Sequence, residues 1–306
     1  MRPAIAAITL AGAASLLCAA CSPSSASSAD GGAVVAVGAE NEYANVIAQI
    51  GGPFVKVSAV ESNPNTDPHA FEASPSDAAE ISDAQLIVQN GVGYDSYMNK
   101  IESSSPSAAR YVIDVQQLLG LPDSTPNPHL WYSPRTMPAV AAAIAADLAK
   151  IRPVHAAYFR ANVAKFDKSL QPWLAALAQF KAAYDGTPVA VTEPVGDYML
   201  QAAGATIMTP FGLQADIMNG VDPSPQDVSL EDSLFSQHKV KVFVYNQQVT
   251  DSLTASFLAT ARHYGIPVVG VYETMPAPGF SYQSWMLAEV SALRKAVADK
   301  ISTEKL

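Results

Sequence analysis

Cysteine is nearly absent from this chain: two residues in 306, Cys18 and Cys21, both close to the N-terminus. A body without thiols has neither a disulfide nor a thiolate metal site, so any metal chemistry must use nitrogen and oxygen donors. Histidine is scarce as well, with five in all. Charged residues make up only 15% of the chain, and acids outnumber bases 28 to 18. The shortage of positive charge argues against a nucleic-acid partner or an anionic lipid surface. There is no HExxH motif and no Gly-x-Ser-x-Gly turn. Their absence removes the familiar signatures of a zinc hydrolase and of a serine hydrolase. After the first 20 residues, no apolar run is long enough to span a membrane. No repeat at solenoid periods is present.

The N-terminal segment 1–20 carries one positive charge, Arg2, followed by an apolar run over 5–20 that ends in small residues. This pattern is expected for a signal peptide. The stretch Leu17-Cys18-Ala19-Ala20-Cys21 resembles a lipobox, with Cys21 as the lipidated residue. It departs from that pattern in having Cys18 where leucine is preferred, and the alternative is plain secretion. Residues 21–32 are rich in Ser, Ala and Gly, the composition of a flexible tether between a lipid anchor and a folded body. The expected location is extracytoplasmic, anchored to the cell membrane.

About 275 residues remain, enough for two modest lobes or one large domain. Short β-branched runs at 33–37, 55–60, 85–89 and 111–115 alternate with helical spacing at 43–50 and 94–101 and a helix start at Ser74-Pro75. Such alternation predicts an α/β fold with a mostly parallel sheet. Residues 138–184 are almost wholly helical in pattern, broken at Arg152-Pro153. The second piece, 155–184, is some 30 residues or roughly 45 Å long, a rigid spine. A second α/β half follows, with strands at 188–192, 240–245 and 267–272 and helices at 198–203, 252–264 and 281–299. The segment 211–229 reads as a long surface loop. The expected organisation is an N-terminal lobe over 33–152, a linking helix over 153–186 and a C-terminal lobe over 187–306, each lobe with its sheet flanked by helices.

Two histidines sit in proline-bearing stretches, Thr66-Asp67-Pro68-His69 and Asn127-Pro128-His129-Leu130-Trp131. Proline fixes its own φ and holds the preceding residue extended. Each motif offers an imidazole on a rigid, non-helical perch, although each alone is equally readable as an ordinary turn. Glu193 follows the 188–192 strand and Glu273 follows the 267–272 strand. His69 and His129 lie beyond the 55–60 and 111–115 strands. Ligands of open parallel sheets collect at the carboxyl ends of the strands. Two facing halves would bring two imidazoles and two carboxylates into one cleft, a sensible site for a divalent transition metal. His155, His238 and His263 read as structural, and Trp131 and Trp285 as packing residues.

The stretches GAENEYANVIAQIGG, SNPNTDPHAFEASPSDAAEISDAQLIVQNG, NPHLWYSPRTMPAVAAAIAADL and IPVVGVYETMP resemble the metal-binding receptors of zinc and manganese ABC importers, the long-helix class of solute-binding proteins. The resemblance covers nearly all of the chain after the tether. It implies two α/β lobes sandwiching a metal, one long helix between them, and delivery of the ion to a membrane permease. Position by position, it implies His69, His129, Glu193 and Glu273 as ligands. Asn127 stands where the family's second motif has aspartate, and Glu273 where aspartate is frequent. The cargo is zinc or manganese. Oxygen-rich ligation suits manganese, while zinc binds such sites more tightly in general. The rival readings are a surface adhesin-like interaction protein and an exported metallohydrolase. The second would need an open coordination position and a general base.

Overall fold

The computed structural model describes Met1, residues 32–276 and residues 278–306. The expected signal peptide, most of the tether and Cys21 lie outside the described residues. In chain order the first part comprises β1 (Val34–Glu40), α1 (Asn41–Gly51), β2 (Val55–Glu61), α2 (Pro75–Asp83), β3 (Leu86–Gln89), α3 (Ser96–Ser104), β4 (Tyr111–Asp114), α4 (Val115–Leu118) and α5 (Thr136–Ile151). Then come α6 (Ala156–Ser169) and α7 (Gln171–Tyr184). The second part has β5 (Pro188–Val191), α8 (Asp197–Ala202), β6 (Thr206–Ile207), α9 (Phe211–Met218), α10 (Pro225–Ser236), β7 (Val242–Asn246), α11 (Ser252–His263), β8 (Val268–Val271) and α12 (Tyr282–Asp299).

The strands form two four-stranded sheets, ordered β2-β1-β3-β4 and β6-β5-β7-β8, and every pairing is parallel. The α/β alternation read from the sequence is therefore the architecture. The inner strands β1, β3, β5 and β7 are covered on both faces, which is why they are short, nearly continuous apolar runs. In β1, Val34 and Ala36 enter the central core while Val37 and Ala39 pack with Ile81 and Met98 of α2 and α3. In β7, Val242 and Val244 face the central core while Phe243 and Tyr245 face Leu213, Phe235 and Phe257 of α9 to α11. Side chains that alternate in a strand give both faces their partners.

The central core is continuous across both sheets, through α5, α7 and α12. Trp131, Trp173 and Trp285 are fully enclosed in it, and side chains of this kind contribute about 1.5–3 kcal/mol each on burial. Ala33–Leu306 packs as one compact unit. Among the described residues, no helix is long and apolar enough to cross a membrane.

The spine is not one helix. It breaks at Leu170, because Pro172 has no N–H to bond the carbonyl one turn back and its ring crowds that turn. Leu170 keeps helical angles (φ −77°, ψ −17°), and bonds from Leu170 N to Phe166 O (3.2 Å) and from Leu174 N to Leu170 O (3.1 Å) carry the axis across. The two halves serve different partners. α6 docks on the first sheet's helices, with Asn162 Nδ2 donating to Ile50 O at 2.9 Å and Phe159 edge-on to Phe54. α7 docks on the second part, with Trp173 edge-on to Tyr282 of α12.

Residues 211–229 are helical for most of their length, not a loop. Leu213 and Ile217, one turn apart, bury one face of α9. Ser224 caps α10, its hydroxyl accepting from Asp227 N at 3.1 Å, with Pro225 in the first turn. A smaller difference comes from a turn: the residues after Gly91 turn until Ser96, so α3 begins later than the 94–101 spacing suggests.

Candidate metal centre

Strand order explains which segments meet. The carboxyl ends of β2 and β4 lead to His69 and His129, and the turn after β3 supplies Tyr94. In the second sheet, Glu193 follows β5, Glu273 follows β8, and Asn246 ends β7, the strand between them.

His69 sits in a single 3-10 turn, Pro68–Ala70, whose start is capped by the Asp67 carboxylate accepting from His69 N at 2.8 Å. Thr66 O, just ahead of it, accepts from Gln248 Nε2 at 2.9 Å. His129 is fully buried and held at three points. Asn127 Oδ1 accepts from His129 N (3.0 Å) and lies 2.8 Å from His129 Nδ1. Asn90 Nδ2 donates to Pro128 O at 2.8 Å. Trp131 lies edge-on to the ring, with centroids 5.4 Å apart.

The tautomer of His129 follows from its neighbour. Asn127 Nδ2 donates to Pro194 O at 2.7 Å, and a carbonyl only accepts, so the amide NH2 must face Pro194. Asn127 Oδ1 therefore faces His129 Nδ1, which must carry the proton, and Nε2 keeps its lone pair for the cleft. Outer-sphere partners of this kind orient a ligating imidazole.

His69, His129 and Glu273 converge, with Tyr94 joining at the same carboxylate oxygen. Glu273 Oε2 lies 3.0 Å from His129 Nε2, 3.1 Å from His69 Nε2, and accepts from Tyr94 Oη at 3.0 Å. One atom each from His69, His129 and Glu273 lie within 4.8 Å of one another. A lone pair of His129 opposite a carboxylate oxygen demands a cation between or beside them, a proton or a metal. Burial pushes the Glu273 carboxyl up, but its contacts with the His129 and His69 imidazoles outweigh it and hold the group below the usual carboxylate range. Burial pulls His69 down, and its bond to Glu273 more than reverses this, leaving it raised. His129, more deeply buried, stays lowered by desolvation.

Glu193 stands beside this cluster and not within it. Its Oε1 accepts from Asn246 Nδ2 at 3.2 Å, while Glu273 Oε1 accepts from the same nitrogen at 2.7 Å. Its second oxygen, Oε2, is buried with no partner. Burial first, and the charge of Glu273 next, push its carboxyl well up. The same two causes push Glu61, near His69, up to about 8. The other histidines lie elsewhere in ring contacts. His155 stacks on Phe54, and His238 and His263 meet Tyr264 edge-on.

Tyr94, Asn246 and Gln248 belong to the site, and the sequence pattern did not single them out. Their one local signal is position: an aromatic in the turn that follows β3, and polar residues at and just after the end of β7. His69 is the only one of the three converging side chains in contact with solvent, 23% exposed against 0% for His129 and Glu273. It lines two open clefts of about 680 and 530 Å³ that have Met218 and Asn219 in common among their lining residues.

The sequence pattern of the zinc-uptake complex component A periplasmic family, ZnuA, matches residues 37–296. The chain belongs to this family. The manganese-binding lipoprotein MntA of Bacillus subtilis (strain 168) is 27% identical over 137 residues, 43% of this chain and 44% of that protein. The chain thus aligns with less than half the length of the curated relatives it matches. Among solved structures, the laminin-binding protein Lbp of Streptococcus pyogenes superposes with a TM-score of 0.71 at 18% identity, covering 87% of this chain and 99% of that one. The manganese-bound periplasmic metal-binding protein of Candidatus Liberibacter asiaticus gives 0.68 at 19% identity, with coverages of 87% and 99%. At these identities the two structures share the fold. The family is one of uptake components.

Proposed function

We propose that this protein is the extracytoplasmic receptor of a metal importer, capturing a divalent transition metal, zinc or manganese, and delivering it to an ABC-transporter permease. His69, His129, Glu193 and Glu273 are the ligands in this reading, and Cys21 carries the lipid that keeps the receptor at the membrane. The observation that supports it most is the approach of His69 Nε2 and His129 Nε2 to Glu273 Oε2, at 3.1 and 3.0 Å. A tetrahedral ion with bonds of about 2.0–2.2 Å separates its ligand atoms by roughly 3.3–3.6 Å. Shifts of a few tenths of an ångström therefore admit the ion. The oxygen of Glu193 that has no partner among the described residues supplies the remaining donor, reached by a side-chain rotation from the end of β5, one strand beyond β7.

Two imidazoles and two carboxylates hold a divalent ion with a net ligand charge of about −2, which suits burial because the filled site is neutral. Four protein ligands leave no open position for an activated water, which separates this site from that of a metallohydrolase. Uptake displaces the protons held between imidazoles and carboxylate, so affinity falls as pH falls. Release requires the two pairs of ligands to part. The continuous core makes wide lobe opening costly, so movement of the His69 turn is the cheaper route.

The test is calorimetric titration of the metal-stripped protein with zinc and with manganese, beside His69→Ala. One tight site per chain that the substitution abolishes is the expected result. Equal binding by the variant, or none by either protein, would overturn the receptor reading.

A further inference from the structure

Asn246 occupies a place no ligand assignment uses. It closes the central strand β7, between the strand ends that carry Glu193 and Glu273. Its side chain is fully buried. Its orientation is fixed, because Oδ1 accepts from Gln248 N at 3.0 Å, which leaves its NH2 to face the two carboxyl groups. Its backbone is pinned too, with Asn246 N donating to the Thr192 hydroxyl at 2.9 Å. The Glu273 end is fixed by Gln248, whose Oε1 accepts from Glu273 N (2.6 Å) and Thr274 N (2.8 Å).

The two oxygens of Glu273 consequently have separate duties. Oε2 points at His69, His129 and Tyr94. Oε1 is bound to Asn246 Nδ2 at 2.7 Å, the shorter of that nitrogen's two contacts. A carboxylate can chelate an ion with both oxygens only when both are free to turn towards it.

We infer that Asn246 is a positioning residue that holds Glu273 to single-oxygen coordination and so biases the site towards a four-coordinate ion over a six-coordinate one. The inference rests on the proposed metal-receptor reading. Zinc is satisfied by four ligands, whereas manganese favours octahedral, oxygen-rich surroundings and gains more from an added oxygen. Freeing Oε1 would therefore help manganese more than zinc. A merely structural asparagine would, on removal, weaken both ions alike.

The experiment measures zinc and manganese dissociation constants of the metal-stripped protein by competition with a chelator, for the natural sequence, Asn246→Ala and Asn246→Asp. The aspartate keeps the shape and the acceptor for Gln248 N but has no hydrogen to donate. Both variants are expected to shift the zinc-to-manganese affinity ratio towards manganese by about tenfold or more, a change of the size that one altered ligand interaction produces. An unchanged ratio, including equal loss of both ions, overturns the role. X-ray absorption on the zinc-loaded natural protein needs no variant. Single-oxygen coordination by carboxylate is expected, and a chelating Glu273 would overturn the inference even if both variants fail to fold. Failure of the natural protein to bind either ion would instead count against the receptor reading. His69-dependent binding with an unmoved ratio would sink only the role of Asn246.

Discussion

Asn127 grips His129 twice with one oxygen, accepting from its backbone N at 3.0 Å and from ring Nδ1 at 2.8 Å, while its own NH2 reaches Pro194 O at 2.7 Å. The grip fixes both the direction and the tautomer of the most buried imidazole in the cleft. Removing it in Asn127→Ala leaves the ring free to turn and to put a proton on Nε2. Metal affinity is expected to drop about 10- to 100-fold, the usual effect of losing an outer-sphere partner. Asn127→Asp restores an acceptor to Nδ1 and should recover most of that loss. Titration of the two variants with zinc checks this, and equal behaviour of alanine and aspartate would show that the grip does not govern the ligand.

Glu273 and Glu193 stand differently to the two imidazoles. Glu273 Oε2 already meets both imidazoles, whereas Glu193 reaches the site only through Asn246. Glu273→Gln is expected to weaken zinc binding by about 100-fold or more and Glu193→Gln by about tenfold, roughly 2.7 and 1.4 kcal/mol. A Glu193→Gln protein with unaltered affinity would reduce the site to three protein ligands.

The parallel α/β fold was readable because its inner strands are β-branched runs buried on both faces, and because Ser74-Pro75 announces a helix by local capping chemistry. Ser224-Pro225 carries the same signal, yet the Asp, Gly and Pro around it read as a loop, and α9 and α10 were missed. Pro172 broke the spine in the same local way. The two histidines and Glu273 were readable because each follows a strand in a distinctive motif. Tyr94 and Asn246 were not, because their significance lies in contacts between segments far apart in the chain. Tyr94 meets Glu273 across 179 positions, a contact that its place in the turn after β3 does not specify.

Glu289 links stability to pH. It is wholly buried, with Oε1 accepting from Trp285 Nε1 (2.9 Å) and Tyr132 Oη (3.2 Å) and Oε2 without a partner. Desolvation pushes its carboxyl from the usual 4.5 up to about 8, despite those two bonds. A raised acid binds its proton more tightly in the folded state, so the native chain holds more protons than the unfolded one between these values. Its contribution is complete below about pH 4.5 and is lost as pH rises through about 8. Glu289→Gln keeps an acceptor for Trp285 and Tyr132 and cannot ionise. Denaturant unfolding of the metal-free protein should therefore fall less steeply from pH 5 to pH 8 in the variant, with the larger gain at the alkaline end. Parallel profiles would mean that Glu289 is not the group responsible.

Gly270 makes room for the residues after α12. Gly270 N donates to Thr303 O at 2.9 Å, Thr303 N to Val268 O at 2.8 Å, and Val268 N to Ser302 Oγ at 3.0 Å, so this segment lies along β8. An ion pair between Arg262 and Glu304 anchors it further. A β-carbon at Gly270 would collide with the backbone carbonyl of Glu304, which cannot rotate away as a side-chain tip could. Gly270→Ala should therefore lift residues 302–306 off the strand and remove these bonds. At about 0.5–1.5 kcal/mol net per hydrogen bond, the loss is on the order of 2–4 kcal/mol if all three go. Amide exchange reads this directly: the Gly270 and Thr303 protons should exchange much faster in the variant while those of β5 and β7 keep their protection. Unaltered exchange at Gly270 would mean that the close approach is not what holds this segment, and that the strand tolerates the extra carbon by moving itself.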